Sequence, residues 1–323
     1  MKKLHSLLFA FLLSGLLSVT AQITDYRNFN GSPDGAYPEG DLTISGNLMF
    51  GATSAQGTNS GTFGTIFSIH SDGTHYKVLH SFLGGTTDGN TPSFGALALS
   101  NGVLYGTALY DGANGVGIVF SVDTLGNNFQ ILHSFGSTST DGQYPEGQPT
   151  VVGNVLFGLT SSGGLNGYGG IYSVNTNGGN YQLRASYDTA GNNGNNPLGE
   201  LTFAGSGTIF YGLTSQGGTL GYGNIFSFDS VTNTITSLHD FNGTDGNYPA
   251  ANLTFYSGLY YGMSEVGGAN GFGNIFSFNP SGNVVTNLHS FNGTDGAYPG
   301  GEFISLRRPA LQHDTKRRNI QWR

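Results

Sequence analysis

The chain contains no cysteine and few charged residues. Its 323 residues include 19 acidic and 11 basic residues, and the charged fraction is 9%, compared with ~25% in a typical soluble domain. The absence of cysteine excludes disulfides, thiol catalysis and cysteine-ligated zinc. Glycine is abundant, with 55 residues, and aromatic residues reach 13%. This composition favours short strands joined by tight turns and argues against helical bundles and doubly wound α/β folds.

Basic residues are scarce between residues 22 and 306. This acidic stretch holds three of them, Arg27, Lys77 and Arg184, and 18 of the 19 acidic residues, which gives a formal charge of −15. Nucleic-acid backbones and anionic lipid surfaces are bound through positive charge. The charge therefore excludes nucleic acid as a main ligand and leaves cations and neutral polar ligands.

The two ends of the chain differ from the rest. Lys2 and Lys3 precede an apolar run too short to cross a bilayer, and small residues up to Ala21 then offer a cleavage site. This order predicts a signal peptide over residues 1–21 and a secreted or cell-surface protein. No later segment is apolar enough for a transmembrane helix. Residues 307–323 are basic and contain no glycine, and we expect a disordered tail that is foreign to the fold.

A pattern of about fifty residues recurs between these ends. The turn D-G-x-Y-P is followed by an aromatic-Gly step, by an apolar-aromatic-Ser step and by a Leu-His-Ser/Asp-Phe motif, and then by the next turn. The first copies of these four motifs start at Asp34, Phe50, Ile66 and Leu79, and the prolines of successive turns lie 50 to 54 residues apart.

Each unit supplies four short β-rich runs, as over residues 252–256, 259–263, 273–278 and 284–291 of the last complete unit. Four strands in about 50 residues is the spacing of a β-propeller blade. The sequence therefore predicts an all-β, β-propeller-like domain over residues 22–306 with five complete units. Partial units flank them, because residues 24–29 match a last strand and residues 301–305 match a first strand.

The consensus of these units resembles the GloVer tandem repeats of exported bacterial proteins. It reads P-x-G-x-L-T, then L-Y-G-x-T, then G-G-x-x-G-x-G-x-I-F-S, then L-H-S-F-x-G-T-D-G. The resemblance covers residues 22–306 and is specific because the whole consensus recurs. It implies a propeller-like fold and export from the cell, and it implies no activity, because the family has none established.

A ring of polar residues is predicted on the innermost strands, which follow the prolines. Strand alternation directs five of them toward the axis of the propeller: Asp41, Gln148, Glu200, Asn252 and Glu302. Carboxylate and amide oxygens are ligands that Ca²⁺ accepts. The two interpretations are a water-filled polar channel without a ligand and a calcium site, and Ca²⁺ is the one cofactor that the sequence suggests.

The turns carry a second candidate site, made of Tyr37, Tyr144, Tyr248 and Tyr298 with Glu39 and Glu146. Aromatic rings beside carboxylates suit neutral sugars, which stack on rings and donate hydrogen bonds from hydroxyl groups. The competing interpretation is that each tyrosine packs locally and stiffens its turn. Glu39 and Glu146 could also be the paired acids of a glycosidase, although they belong to different blades.

The repeated histidines are predicted to be structural. His80, His133, His239 and His289 fall on the outermost strands of separate blades, where they are too far apart to share one metal ion. The aspartate of each D-G turn is predicted to close an Asx-turn.

These observations favour an exported or cell-surface repeat scaffold that binds a glycan or a protein partner. The sequence contains no nucleophile elbow, His-Glu-x-x-His motif or P-loop, which argues against an enzyme. Two alternatives stay open: a carbohydrate-active enzyme that uses propeller carboxylates, and a truncated copy without function.

Overall fold

The computed structural model describes residues 27–58, 61, 63–92, 95–188, 193–250, 252–300 and 303. Strands, turns and loops make up these residues, and within them no helix is long and apolar enough to span a membrane. The predicted signal peptide over residues 1–21 and the predicted tail over residues 307–323 lie outside the described residues.

Twenty strands form five four-stranded antiparallel sheets, which we call blades 1 to 5. Blade 1 contains β1 (Thr43–Ser45), β2 (Leu48–Thr53), β3 (Thr65–His70) and β4 (Lys77–Ser81). Blade 2 contains β6 (Ala98–Ser100), β7 (Val103–Asp111), β8 (Ile118–Asp123) and β9 (Gln130–Ser134), and β5 (Gly89–Pro92) pairs with the end of β7. Blade 3 contains β11 (Thr150–Val152), β12 (Val155–Thr160), β14 (Gly170–Asn175) and β15 (Gln182–Ser186).

Blade 4 contains β16 (Thr202–Phe203), β17 (Ile209–Thr214), β18 (Asn224–Asp229) and β19 (Thr234–Asp240). Blade 5 contains β20 (Thr254–Tyr256), β21 (Leu259–Ser264), β22 (Asn274–Asn279) and β23 (Val284–Ser290). A further small sheet pairs β10 (Gly142–Gln143) with β13 (Ser162–Gly163). In every blade the strands pair in chain order, so the predicted all-β architecture with five complete four-stranded units is confirmed.

The second and third strands of each blade explain why two of the sequence motifs recur together. In blade 1, Gly51 lies opposite Phe67, and a Cβ on Gly51 would lie 2.6 Å from the end of that ring. Glycine recurs in the aromatic-Gly step because the ring fills the space of its side chain. The same pairing joins Gly106 to Phe120, Gly158 to Tyr172, Gly212 to Phe226 and Gly262 to Phe276.

The hydrophobic core lies between the blades. Four clusters each join two successive blades. Between blades 1 and 2, for example, Phe50, Ile66 and Phe82 pack against Leu104 and Phe120. Burying one large apolar side chain contributes about 1.5–3 kcal/mol, so each blade is stabilised mainly by its neighbours.

The innermost strand of blade 5 is shorter than predicted. The sequence pattern predicts a strand from Asn252, whereas β20 begins at Thr254. The innermost strands of the other four blades begin at the equivalent residue, and in blade 5 the side-chain oxygen of Asn252 accepts the backbone N–H of Glu200 at 2.6 Å. The start of this segment therefore contacts the neighbouring innermost strand.

Candidate functional site

Aromatic side chains are concentrated at one end of the domain. Because the strands alternate in direction, the loops between second and third strands emerge at the same end as the connections between blades. We call this end the loop face. Six aromatic side chains on it are between 39% and 58% exposed: Tyr37, Phe63, Tyr110, Tyr168, Tyr222 and Tyr298. Tyr144 and Tyr248 lie there as well and are half-buried.

The four turn tyrosines share a left-handed backbone conformation. Tyr37, Tyr144, Tyr248 and Tyr298 have φ between 54° and 57°, a region that costs an L-residue about 1–2 kcal/mol. Backbone hydrogen bonds hold this conformation in place. The N–H of Tyr144 donates to Val116 of the preceding blade at 2.9 Å, and its carbonyl accepts the N–H of Ser161 at 3.1 Å.

The turn does not depend on a tyrosine side chain. Thr91 and Asn196 occupy the same position in the other two copies, with φ of 54° and 50°. Asn196 makes the same two backbone hydrogen bonds, to Tyr168 and from Ser215. Tyrosine, threonine and asparagine all adopt this backbone conformation. The turn geometry alone therefore does not explain why four of the six copies carry a tyrosine.

The rings of the turns contact rings of the preceding blade. Tyr144 meets Tyr110 edge-on with ring centroids 5.9 Å apart, and Tyr298 meets Phe272 edge-on at 6.1 Å. Such pairs contribute about 0.5–1.5 kcal/mol beyond their buried area. The loop face therefore carries aromatic pairs at boundaries between successive units.

Two carboxylates lie among these rings. Ser54 donates a hydrogen bond to Glu39 at 3.3 Å, and Ser161 hydrogen-bonds the carboxyl of Glu146. Burial raises the pKa of Glu146, and the bond from Ser161 opposes that rise. Glu39 and Glu146 occupy equivalent positions beside blades 1 and 3, with blade 2 between them. A glycosidase pair requires carboxyls about 5–10 Å apart, so this placement does not favour that role.

Two of the three Lys and Arg residues in the described part of the chain are directed away from the loop face. Lys77 donates to the carbonyl of Leu125 at 2.6 Å, and Arg184 donates to Asn233 at 2.8 Å. Both acceptors belong to loops at the opposite end of the domain. Arg27 forms an ion pair with Asp34 at 2.6 Å. The one-off polar residues Lys77, Arg184 and Glu265 lie in blades 1, 3 and 5 and do not converge.

A central channel lies along the innermost strands of all five blades. It is a cavity of about 780 Å³ whose lining includes Asp41, Gln148, Glu200, the inner-strand threonines and Phe303. The segments that lead into the innermost strands approach each other closely. A Cβ on Gly147 would lie 1.9 Å from the carbonyl oxygen of Gly199. A Cβ on Gly95 would likewise lie 2.6 Å from the backbone nitrogen of Gln148, so glycine at these two positions permits the close approach.

The inner-strand threonines connect the blades to each other. The hydroxyls of Thr43 and Thr150 donate to the carbonyls of Leu97 and Leu201 in the next blade. Thr202 donates in the same way to Leu253 at 2.6 Å and Thr254 to Phe303 at 2.7 Å. These threonines therefore line the channel and also join each blade to the next through their hydroxyls.

The channel brings two carboxyls together. Burial raises the pKa of Glu200 well above its ordinary value, and the Asp41 carboxylate raises it further. Burial also raises the pKa of Asp41. Asn252 is buried and engaged with Glu200, and Glu302 lies outside the described residues. Within the described part of the chain no group of three or more His, Asp or Glu is placed to hold a metal, and the calcium site stays a prediction.

The repeated histidines each contact the aspartate of the turn that follows. The Nε2 atoms of His80, His133, His239 and His289 lie 3.0–3.2 Å from Asp88, Asp141, Asp245 and Asp295. These aspartates also accept backbone N–H groups, as Asp141 does from Ser137 at 3.0 Å and from Gly142 at 2.7 Å. The histidines therefore lie in separate blades, each bonded to its own turn, as a structural role requires.

A family model described as the Gloeobacter/Verrucomicrobia repeat matches residues 14–164 and 138–308. The two matches together cover most of the chain. The chain belongs to this repeat family. The resemblance inferred from the repeat consensus is thus confirmed. No curated protein sequence matched the chain.

Solved structures show that the fold of this Gloeobacter/Verrucomicrobia repeat protein has distant counterparts. A chain from the crystal structure of a nidogen/laminin complex is similar with a TM-score of 0.52 and 13% identity, over 84% of this chain and 81% of that one. TolB from Acinetobacter baumannii gives a TM-score of 0.49 and 14% identity, over 76% of this chain and 52% of that one. At such identities the likeness to the nidogen/laminin chain concerns the fold alone.

The histidine–aspartate pair is the feature of the Gloeobacter/Verrucomicrobia repeat that sequence reasoning missed. The two residues were predicted to have separate structural roles. The sequence does carry a signal of the pairing, because the histidine and the aspartate are present or absent together in each unit. Blade 3 has Ala185 in place of the histidine and Asn193 in place of the aspartate, so both members change together. At the start of the described chain Arg27 replaces the histidine, and it pairs with Asp34.

Proposed function

We propose that this chain is an exported binding scaffold whose loop face holds a neutral glycan. The observation that carries the proposal is the set of exposed rings on the loop face. They come from equivalent loops of successive blades, and the turns that bear four of them adopt the same backbone with Thr91 or Asn196. The rings are therefore available for a ligand.

Charge supports a neutral ligand over an anionic one. Glu39, Glu146 and the turn aspartates lie among the rings, and Arg27, which is also at this end, is bonded to Asp34. Sugar hydroxyls donate hydrogen bonds to carboxylates, and the apolar faces of sugar rings stack on aromatic side chains. An acidic polymer would meet like charge on this surface.

The binding test uses affinity electrophoresis of the purified chain in gels that contain xyloglucan, xylan, galactomannan or polygalacturonate. We expect retardation by at least one neutral polymer and none by polygalacturonate. The variant Y144N/Y248N copies the natural Asn196 turn, so it keeps the backbone and removes two rings. It should lose at least tenfold in affinity for the retarding polymer while keeping a cooperative melt.

A matched control is Tyr256→Asn, because Tyr256 is 63% exposed but lies on β20, away from the turns. This control should bind as the unaltered chain does. Retardation by polygalacturonate alone, or equal binding by Y144N/Y248N, would remove the proposal. Retardation by no polymer would leave a protein partner as the ligand of the loop face and would equally overturn the glycan assignment.

A further inference from the structure

The hairpin between the third and fourth strands of blade 1 differs from the equivalent hairpins of the other blades. Strand β3 ends at His70, and His75 follows in the turn that leads to β4. In blades 2 to 5 the first of these positions carries Asp123, Asn175, Asp229 or Asn279, and the second carries Asn128, Asn180, Asn233 or Asn283. The two histidines are therefore single departures from a repeated pattern of carboxylates and amides.

The turn does not require either imidazole. His75 and the four equivalent asparagines have φ between 53° and 59°, a left-handed conformation in which asparagine is enriched. In blade 2 the carboxylate of Asp123 caps the turn by accepting the N–H of Leu125 at 2.9 Å. In blade 1 the carboxylate of Asp72 serves instead, by accepting the N–H of Thr74 at 2.9 Å. The backbone of the hairpin therefore does not explain the two histidines.

The hairpin brings the two imidazole rings into contact. The centroids of the His70 and His75 rings are 4.4 Å apart, and the ring planes differ by 25°. Side chains at the same two positions also meet in blade 2, where Asn128 donates to Asp123 at 3.0 Å. The turn thus places these two positions side by side, and in blade 1 both carry a nitrogen ligand. His75 is exposed and His70 is half-buried, so the pair is open to solvent.

Hydrogen bonds fix which nitrogen of His75 carries the proton of the neutral ring. The hydroxyl of Thr74 donates to the carboxylate of Asp72 at 2.7 Å, and the same hydroxyl oxygen lies 2.7 Å from Nδ1 of His75. Because the one hydroxyl proton is directed to Asp72, Nδ1 is the donor to Thr74, and the lone pair is on Nε2. Histidines that bind metal ions make such a bond with the ring nitrogen that does not bind the metal.

An ionised carboxylate lies beside the pair. Hydrogen bonds from Thr74 hold the pKa of Asp72 below its ordinary value, and His70 acts in the same direction. A negative charge next to two neutral imidazoles favours the approach of a cation.

We propose that this hairpin binds one divalent transition-metal ion through Nε2 of His75 and a ring nitrogen of His70. Imidazole suits copper, nickel and zinc, and copper(II) binds most tightly among them. Both lone pairs must point at the ion, so the ring of His70 turns out of the stack, and a side chain at a protein surface rotates in nanoseconds or less. Water completes the coordination, because within the described residues no group of three or more candidate ligands is placed to hold a metal.

This site is separate from the other candidate sites. The Nε2 atoms of His80, His133, His239 and His289 are each bonded to an aspartate. The hairpin lies at the end of the domain opposite the loop face, so it is distinct from the surface proposed to bind a glycan. Calcium prefers oxygen ligands, so the ion predicted for the channel would not compete for the two imidazoles.

The probe is copper(II) chloride, titrated into the full chain by calorimetry at about pH 7.5, where imidazole ligands are neutral. We expect saturable binding, and an electron paramagnetic resonance spectrum of the bound copper that carries the hyperfine splitting of nitrogen ligands. The spectrum distinguishes binding by imidazoles from binding by carboxylates alone.

The other hairpins supply matched variants. His75→Asn copies Asn128 and His70→Asn copies Asn175, so each variant keeps the turn and removes one imidazole. Each should keep a cooperative melt and lose at least tenfold in affinity for copper. His289→Asn removes an imidazole from blade 5 instead, and it should bind copper as the unaltered chain does.

Three results would overturn the proposal. The first is the absence of saturable copper binding, and the second is equal affinity in His75→Asn and the unaltered chain. The third is a loss in His289→Asn as large as the loss in His75→Asn, because the copper would then be held by histidines outside this hairpin.

Discussion

Blades 2 and 5 carry the same motifs in different surroundings. Leu132 and Leu288 follow the same pattern, yet one is buried and the other half-exposed. The His133 side chain is 14% exposed and the His289 side chain is 46% exposed, although both bond an aspartate at 3.1 Å. The local motif thus forms the same strand and the same turn in both blades. The neighbouring blade determines how much free energy those residues contribute.

The largest expected loss of stability comes from replacing the equivalent phenylalanine of each of these two blades with alanine. Phe135→Ala removes a fully buried ring and should cost about 3–5 kcal/mol of unfolding free energy. Phe291→Ala removes the equivalent, partly exposed ring and should cost less than about 1 kcal/mol. Urea denaturation of both variants measures the two losses. Equal losses would mean that Phe291 is as deeply buried in solution as Phe135.

A smaller loss of stability is expected when the turn aspartate that follows each of these two blades is replaced by asparagine. Burial alone would raise the pKa of Asp141, but hydrogen bonds from His133, Tyr181 and Ser137 outweigh burial and hold that pKa well below its ordinary value. Asp141→Asn should therefore cost about 1.5–3 kcal/mol at pH 7. Asp295→Asn should cost less, because that side chain is 36% exposed.

The pH dependence supplies the control for the aspartate pair. A carboxyl whose pKa is lowered in the folded state stabilises the fold above its unfolded pKa near 4, and this contribution is lost as the pH falls toward the folded value. The difference between the unaltered chain and Asp141→Asn should therefore narrow below about pH 4. A difference that stays constant from pH 7 to pH 3 would contradict the role of the ionised carboxylate.

The smallest change in stability is expected from a substitution in the channel. At equivalent positions of the innermost segments, blade 4 carries Glu200 and blade 3 carries Gln148. The pKa of Glu200 is raised, so the folded state loses stability as the pH rises from about 4 through the folded pKa. Glu200→Gln copies the amide of blade 3. It should raise stability at pH 7 by on the order of 1 kcal/mol and leave it unchanged at pH 4, as measured by thermal melting.

Calcium distinguishes the two interpretations of the channel. If Asp41 and Glu200 hold Ca²⁺, excess CaCl₂ raises the melting temperature of the EDTA-treated chain, and Glu200→Gln abolishes the rise. A melt that does not respond to calcium in either protein would leave a polar channel without a cation. Asp295→Asn serves as a control for calcium bound in a turn.

Much of the fold was predictable because each motif has a local cause. The glycine of the aromatic-Gly step recurs because a ring lies over it, and the strands of blade 5 begin and end within two residues of the predicted positions. The pairing of His133 with Asp141 was not predicted, because the side chains lie eight residues apart on a strand and a turn. The exposed loop-face rings Phe63, Tyr168 and Tyr222 were also missed, because their exposure depends on the loops around them.

By itself the sequence determined the strand count of each unit, the acidic charge, the repeat family and three residues of the channel lining, Asp41, Gln148 and Glu200. These properties follow from local spacing, since a two-residue period and a turn motif act within a few residues. Tertiary structure alone decided that burial and the Asp41 carboxylate raise the pKa of Glu200 and that the inner-strand threonines bond the next blade. It also decided that Leu288 of blade 5 is half-exposed where Leu132 of blade 2 is buried, because burial and electrostatic coupling depend on residues about fifty or more positions away.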